Sequence, residues 1–306
     1  MEESQRLTET HFKRSNIHWL SRNRLRYYRF AQLHKYLQDN EFVVAGYRMD
    51  YSYTESFISL FHFHNESCSI WIHLLSLLAF AWFLVRSLLI SIYPNASGSD
   101  IIVIVLFLAS ACYLFLASSL YHLHICVDHR SYEFFGCLDY TGISALICGG
   151  TGAITYYILY CDPIMRTTSL IVLGCTNLLG FVGPSFSIWR TPGFRVGRAV
   201  LFLSSAAIGL FPIFFYLGKY GTAALPSVRS NFAIPAYFLT LLQYVVGCVI
   251  YTSRIPERFS PGRFDYWGAS HQIWHVFVTS ATVSLYICIL GLMKWRLDDS
   301  SQCLVL

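Results

Sequence analysis

Two polar pentads sit at the ends of apolar stretches, His271-Gln-Ile-Trp-His275 at the start of the last one and Ser118-Ser-Leu-Tyr-His122 at the end of an earlier one. Residues four apart share a helical face, so each pentad directs both of its polar ends the same way. Imidazole is rare at membrane depth unless it binds or pairs with something. His122, His271 and His275 together supply three neutral nitrogen ligands, the number used by a catalytic zinc site with an open fourth position. Such a site makes water nucleophilic near neutral pH. An all-histidine set also suits iron, copper or nickel, but no redox partner residues accompany it, so Zn2+ is the expected ion.

A single histidine at a helix end is more often an interfacial hydrogen-bonding residue than a ligand. A facing pair with a third imidazole at the same end reverses that balance. His124 and His129 compete for the third position but fall in the polar connection beyond the apolar run. His62 and His64 read as contacts of the tail, and His73 as an interfacial residue of the first span. Two further residues are candidates for the chemistry itself. Asp139, read as opening a helix, could orient the metal's water or take its proton, although an acid at a helix N-terminus is also favoured by the dipole. Ser118, one turn before His122, could donate to a developing oxyanion, although serine in membrane helices often bonds back to its own backbone.

The elements that must position these groups are membrane spans. Hydrophobic residues make up 55% of the chain, aromatic residues 17% and charged residues only 13%, far from a soluble composition. Seven apolar runs are long enough for a hydrocarbon core of about 30 Å: Ile70 to Tyr93, Ile101 to Tyr121, Leu138 to Tyr160, Ser169 to Trp189, Ala199 to Leu217, Phe232 to Thr252, and His271 to Met293. Pro212 and Pro235 remove none of them, because lipid-embedded helices tolerate proline when neighbours satisfy the freed carbonyls. The expected fold is an all-α integral membrane protein, a seven-helix bundle. Its domains read as a basic tail with an interfacial amphipathic helix over Ser15 to Leu37 (residues 1–69), the spanning domain (70–293) and a short C-terminal tail (294–306).

Lys and Arg asymmetry orients the bundle. The N-terminal tail and the alternate connections on its side carry sixteen basic residues against five opposite, with Arg86 inside the first span and assigned to neither. The N-terminus is therefore expected in the cytoplasm and Leu306 outside or in a lumen. His122, His271, His275 and Asp139 all reach the cytoplasmic end, although none of them entered the charge count. The net charge of +5 is concentrated beside the first span, where anionic lipid headgroups explain it and no nucleic-acid partner is needed. The ten cysteines form no Cys-x-x-Cys pair, so neither a disulfide framework nor a cysteine zinc site is expected.

Several ordered motifs resemble the progestin and adipoQ receptor family, particularly its adiponectin-receptor-like class. They are Leu37-Gln-Asp-Asn-Glu-Phe with Gly46-Tyr-Arg, His64-Asn-Glu-Ser-Cys-Ser-Ile-Trp-Ile-His73, Ser118 to His122, Leu138-Asp-Tyr-Thr-Gly-Ile143, and Ile255-Pro-Glu-Arg-Phe-Ser-Pro-Gly262 running into Ser270-His-Gln-Ile-Trp-His275. The resemblance implies a seven-helix bundle with an inside N-terminus. It also implies zinc on His122, His271 and His275, with Ser118 and Asp139 as polar partners. As function it implies a signalling receptor with an outer hormone ligand and a cytoplasmic signalling partner, and a ceramidase-like activity on lipid amides with ceramide or fatty acid as the bound lipid. The alternative is a Golgi scaffold that tethers a cytoplasmic kinase and uses zinc structurally. The resemblance implies residence in the plasma membrane, the Golgi or the endoplasmic reticulum.

Overall fold

Each apolar run folds as a helix because lipid offers no hydrogen-bond partners and the backbone must satisfy itself within the segment. The computed structural model describes residues 25–90, 93, 95–221, 232–298 and 303. A short helix α1 (Tyr53–Ser59) precedes the long ones: α2 (Ser67–Leu89), α3 (Gly98–His124), α4 (His129–Ile158), α5 (Pro163–Val182), α6 (Arg195–Ala207), α7 (Leu210–Tyr220), α8 (Ala233–Ser253) and α9 (Ser270–Asp298). α6 and α7 form one span, Arg195–Tyr220, interrupted at Ile208 and Gly209. Pro212 therefore lies in the first turn of a new helix, where its missing N–H costs nothing. The chain is a multi-pass integral membrane protein.

Six spans among the described residues pass by length and composition alone; α4 does not. Its position explains the difference. α4 packs against α3, α5, α6, α7 and α9, and from residue 135 to its end no residue is exposed. A helix surrounded by protein needs no lipid-facing stripe and can carry Asp139, Tyr140, Thr141, Ser144, Thr151 and Thr155. It comes close to α3 at Gly142, where a Cβ would stand 2.9 Å from the Leu114 Cα. The outer surface is apolar instead, with Leu75, Leu78, Trp82, Leu106, Ile171, Leu242 and Val249 exposed, as expected where the solvent is hydrocarbon. Arg86 sits in the last turn of α2 with its guanidinium over the Trp82 ring.

α4 begins nine residues before the apolar run that announces it, capped by Asp128, whose carboxylate accepts from Ser131 N. Asp139 is consequently well inside a helix, and the dipole account of its presence lapses. One disulfide, Cys161–Cys303, also departs from the sequence expectation. Its partners are 142 residues apart, so no local spacing could reveal it.

Of the interfacial helix expected over Ser15 to Leu37, residues 15–24 lie outside the described residues. The remainder forms two 3-10 turns, Phe30–Gln32 and Lys35–Leu37, rather than a continuous helix. From Tyr28 to Arg48 the chain is a strap across one end of the bundle. Tyr28 pairs with Tyr47 in an isolated antiparallel bridge. Asn40 donates to Glu257 (3.0 Å), Val44 N donates to Asp265 (2.7 Å) and Arg195 donates to Asp39 (2.6 Å). Gly46 takes φ +83°, and a Cβ there would meet the Tyr266 ring at 3.0 Å, so this bend requires glycine.

Arg48 fastens the strap to α3. Its buried guanidinium donates to the carbonyls of His122 (2.7 Å) and Leu123 (3.2 Å) and to Ser59 Oγ (2.5 Å). A cation at a helix C-terminus satisfies carbonyls that have no partner within the helix and opposes the dipole. Arg48→Ala is expected to destabilise the protein by about 2–3 kcal/mol, read as a lower melting temperature in detergent. An unchanged melting temperature would mean that water takes over these bonds.

Candidate metal centre

The end of α3 meets the start of α9. His122 is in the last turn of α3, while His271 and His275 occupy the first two turns of α9. α9 is held in register by Glu257, a fully buried carboxylate that accepts from Ser270 N (2.8 Å) and from Ser270 Oγ. An anion at a helix N-terminus is stabilised by the unpaired N–H groups there. The next residue, His271, is thereby presented to α3.

The three imidazoles offer ligand atoms that all lie within 4.8 Å of one another. His271 Nε2 is 3.2 Å from His122 Nε2 and 3.0 Å from His275 Nε2. Tetrahedral zinc with bonds of about 2.0–2.1 Å separates its nitrogens by roughly 3.3 Å, so the spacing suits that ion. Proton positions strengthen the fit. His122 Nδ1 lies 2.8 Å from Glu66 Oε2. A carboxylate oxygen accepts, so the ring N–H of His122 is the donor in this contact. His275 Nδ1 lies 3.2 Å from the Ser69 carbonyl, which likewise only accepts. Both rings therefore carry their proton on Nδ1 and turn an Nε2 lone pair toward His271. A proton on His271 Nε2 could serve only one of those lone pairs well, whereas a cation serves all three nitrogens.

Among the described residues these three histidines alone form such a cluster. His124 turns away, its Nδ1 3.1 Å from Ser56 Oγ, and His129 packs on Tyr36. Of the three histidines weighed for the third position, His122 is the one that joins His271 and His275. Asp139 and Ser118 line the same cavity as the three histidines.

Three features were not recognised from the sequence. His73, read as interfacial, is buried and stacks on His275 at 3.8 Å with an interplanar angle of 12°. His64, read as a tail contact, is fully buried, and its Nδ1 accepts from Glu66 N at 3.0 Å. Glu66 itself was passed over. The only available hint was an acid flanked by polar residues immediately before the first apolar run.

The cavity beside the triad measures about 230 Å³. One end is polar, walled by the histidines, Asp139, Ser118, Arg195, Arg198 and the strap residues Asp39 and Asn40. Arg198 lies over the Tyr140 ring and donates to the carbonyls of Trp189 and Thr191. The other end is apolar, walled by Leu114, Ile143, Leu146, Ile147, Phe202, Leu203 and Val278. Such a space matches an amphiphile with its polar group at the triad.

Residues 61–286 match the family described as haemolysin-III related. Heptahelical transmembrane protein 1 of Arabidopsis thaliana is 32% identical over 276 residues, covering 87% of this chain and 81% of the relative. The progestin and adipoQ receptor family member 3 of Homo sapiens is 33% identical over 272 residues, covering 86% and 83%. The adiponectin receptor protein of Drosophila melanogaster is 32% identical over 284 residues, covering 90% of this chain and 61% of the relative.

Proposed function

Because this chain belongs to the haemolysin-III-related, or progestin and adipoQ receptor, family, we propose that it is an adiponectin-receptor-like signalling protein whose zinc site hydrolyses ceramide-like lipid amides. The carrying observation is the convergence of three Nε2 atoms at the polar head of a cavity with an apolar tail. Zinc on His122, His271 and His275 would supply Lewis acidity, polarising an amide carbonyl and making water nucleophilic near neutral pH. The chain's own groups manage the protons and the orientation. Asp139 takes the proton of the attacking water and returns it to the leaving nitrogen. Ser118 donates to the carbonyl oxygen as negative charge develops. Water and amide are consumed, and fatty acid and amine are released.

The proposed orientation keeps the amino terminus in the cytoplasm and Leu306 outside or in a lumen. The basic asymmetry supports it, as does the Cys161–Cys303 bridge, which falls on the outer side in that arrangement. Disulfides persist in oxidising compartments. With the strap lying over the inner end, lipid enters the cavity sideways between helices. Purified protein in detergent with a ceramide substrate tests the reading. Fatty acid release is expected, and it should stop on addition of a zinc chelator and return with zinc. Release that ignores the chelator, or no release at all from zinc-loaded protein, would overturn the hydrolytic assignment.

A further inference from the structure

A ring that ligates through Nε2 is defined only when something fixes its other nitrogen. Otherwise the imidazole can rotate, or carry its proton on the nitrogen the metal needs. Two of the three rings here are fixed from the same place, the first turn of α2. The Ser69 main-chain carbonyl holds His275 Nδ1 at 3.2 Å, and the Glu66 side chain holds His122 Nδ1 at 2.8 Å. His73, one turn further along α2, adds a flat stack on His275 at 3.8 Å. α2 thus contributes no ligand of its own but orients the ligands from α3 and α9.

Glu66 is well built for this role. Its backbone N–H donates to His64 Nδ1 at 3.0 Å, which fixes the position from which the side chain reaches His122. The strap holds the preceding residue, since Asn65 N donates to the Gly46 carbonyl at 3.0 Å. The salt-bridge partner of Glu66 among the described residues is His122 itself, so the carboxylate is not committed to a lysine or arginine. A carboxylate bonded to a ligating imidazole raises its basicity as well as setting its tautomer.

We infer that Glu66 is the positioning residue of the metal centre, acting through His122 to set the affinity of the triad. The inference rests on the zinc reading above and is separable from it by experiment. The full-length protein is purified in detergent as wild type, Glu66→Gln and Glu66→Ala, stripped of metal, and titrated with zinc against a chromophoric chelator. Visible spectra of the cobalt-loaded proteins are recorded in parallel. Glu66→Ala should bind zinc about 10–100-fold more weakly and give an altered cobalt band. Glu66→Gln, whose amide oxygen still accepts from Nδ1 but carries no charge, should fall between wild type and alanine. A purely structural role would lower the melting temperature of the metal-free variants below that of metal-free wild type without this ordering in affinity. Should the alanine protein fail to fold, the isosteric glutamine protein decides alone. Wild-type affinity and an unchanged cobalt spectrum in Glu66→Gln would overturn the inference while leaving the zinc site standing. A wild-type protein that binds no stoichiometric zinc would remove both.

Discussion

His271→Ala is expected to abolish stoichiometric zinc binding. His271 is the middle member of the triad, its Nε2 3.2 Å from that of His122 and 3.0 Å from that of His275. Without it two imidazole ligands remain, and two nitrogens do not hold zinc against competing water and chelator. A ligand that binds only the native state stabilises it by about 4 kcal/mol when present at a thousand times its dissociation constant. The wild-type protein should therefore lose several degrees of melting temperature on chelation, and the variant should show no chelator response. Metal analysis of the purified proteins, with melting curves in the presence and absence of chelator, checks this. A full equivalent of zinc in His271→Ala would place the metal elsewhere.

Asp139→Asn should leave the metal in place and remove the chemistry. The amide oxygen of asparagine can still accept a hydrogen bond from Ser118 or water, but it cannot take a proton. Hydrolysis of a ceramide-like amide should fall by about 10²–10⁴-fold, with zinc content and melting temperature close to wild type. The same variant separates the two roles that zinc can play. A receptor or scaffold that uses the ion only as a clamp between α3 and α9 would signal or tether normally with asparagine at this position. Undiminished hydrolysis in Asp139→Asn would assign the proton step to another group.

Much of the site was legible because its signals are local. The spacing of His271 and His275 places them on one helical face whatever surrounds them, and the apolar run ending at His122 identifies its end of the membrane. The spans follow from the same logic, since a segment in hydrocarbon must be apolar and self-satisfied along its own length. Even α4, too polar to pass as a span by composition, was visible as an apolar run from Leu138 to Tyr160.

Residue order and apolar periodicity thus determined the spans and the histidines at their ends, because these depend on neighbours three and four positions away. Only the tertiary structure decided which polar groups meet across helices. It chose His122 over His124 and His129, moved His73 from the interface to the face of His275, and brought Cys161 to Cys303. It also turned the stretch from Tyr28 to Arg48 into a strap and set Glu66 on His122 Nδ1. Each of these contacts joins positions far apart in the chain, and their distances follow from how whole helices pack rather than from any spacing along one of them.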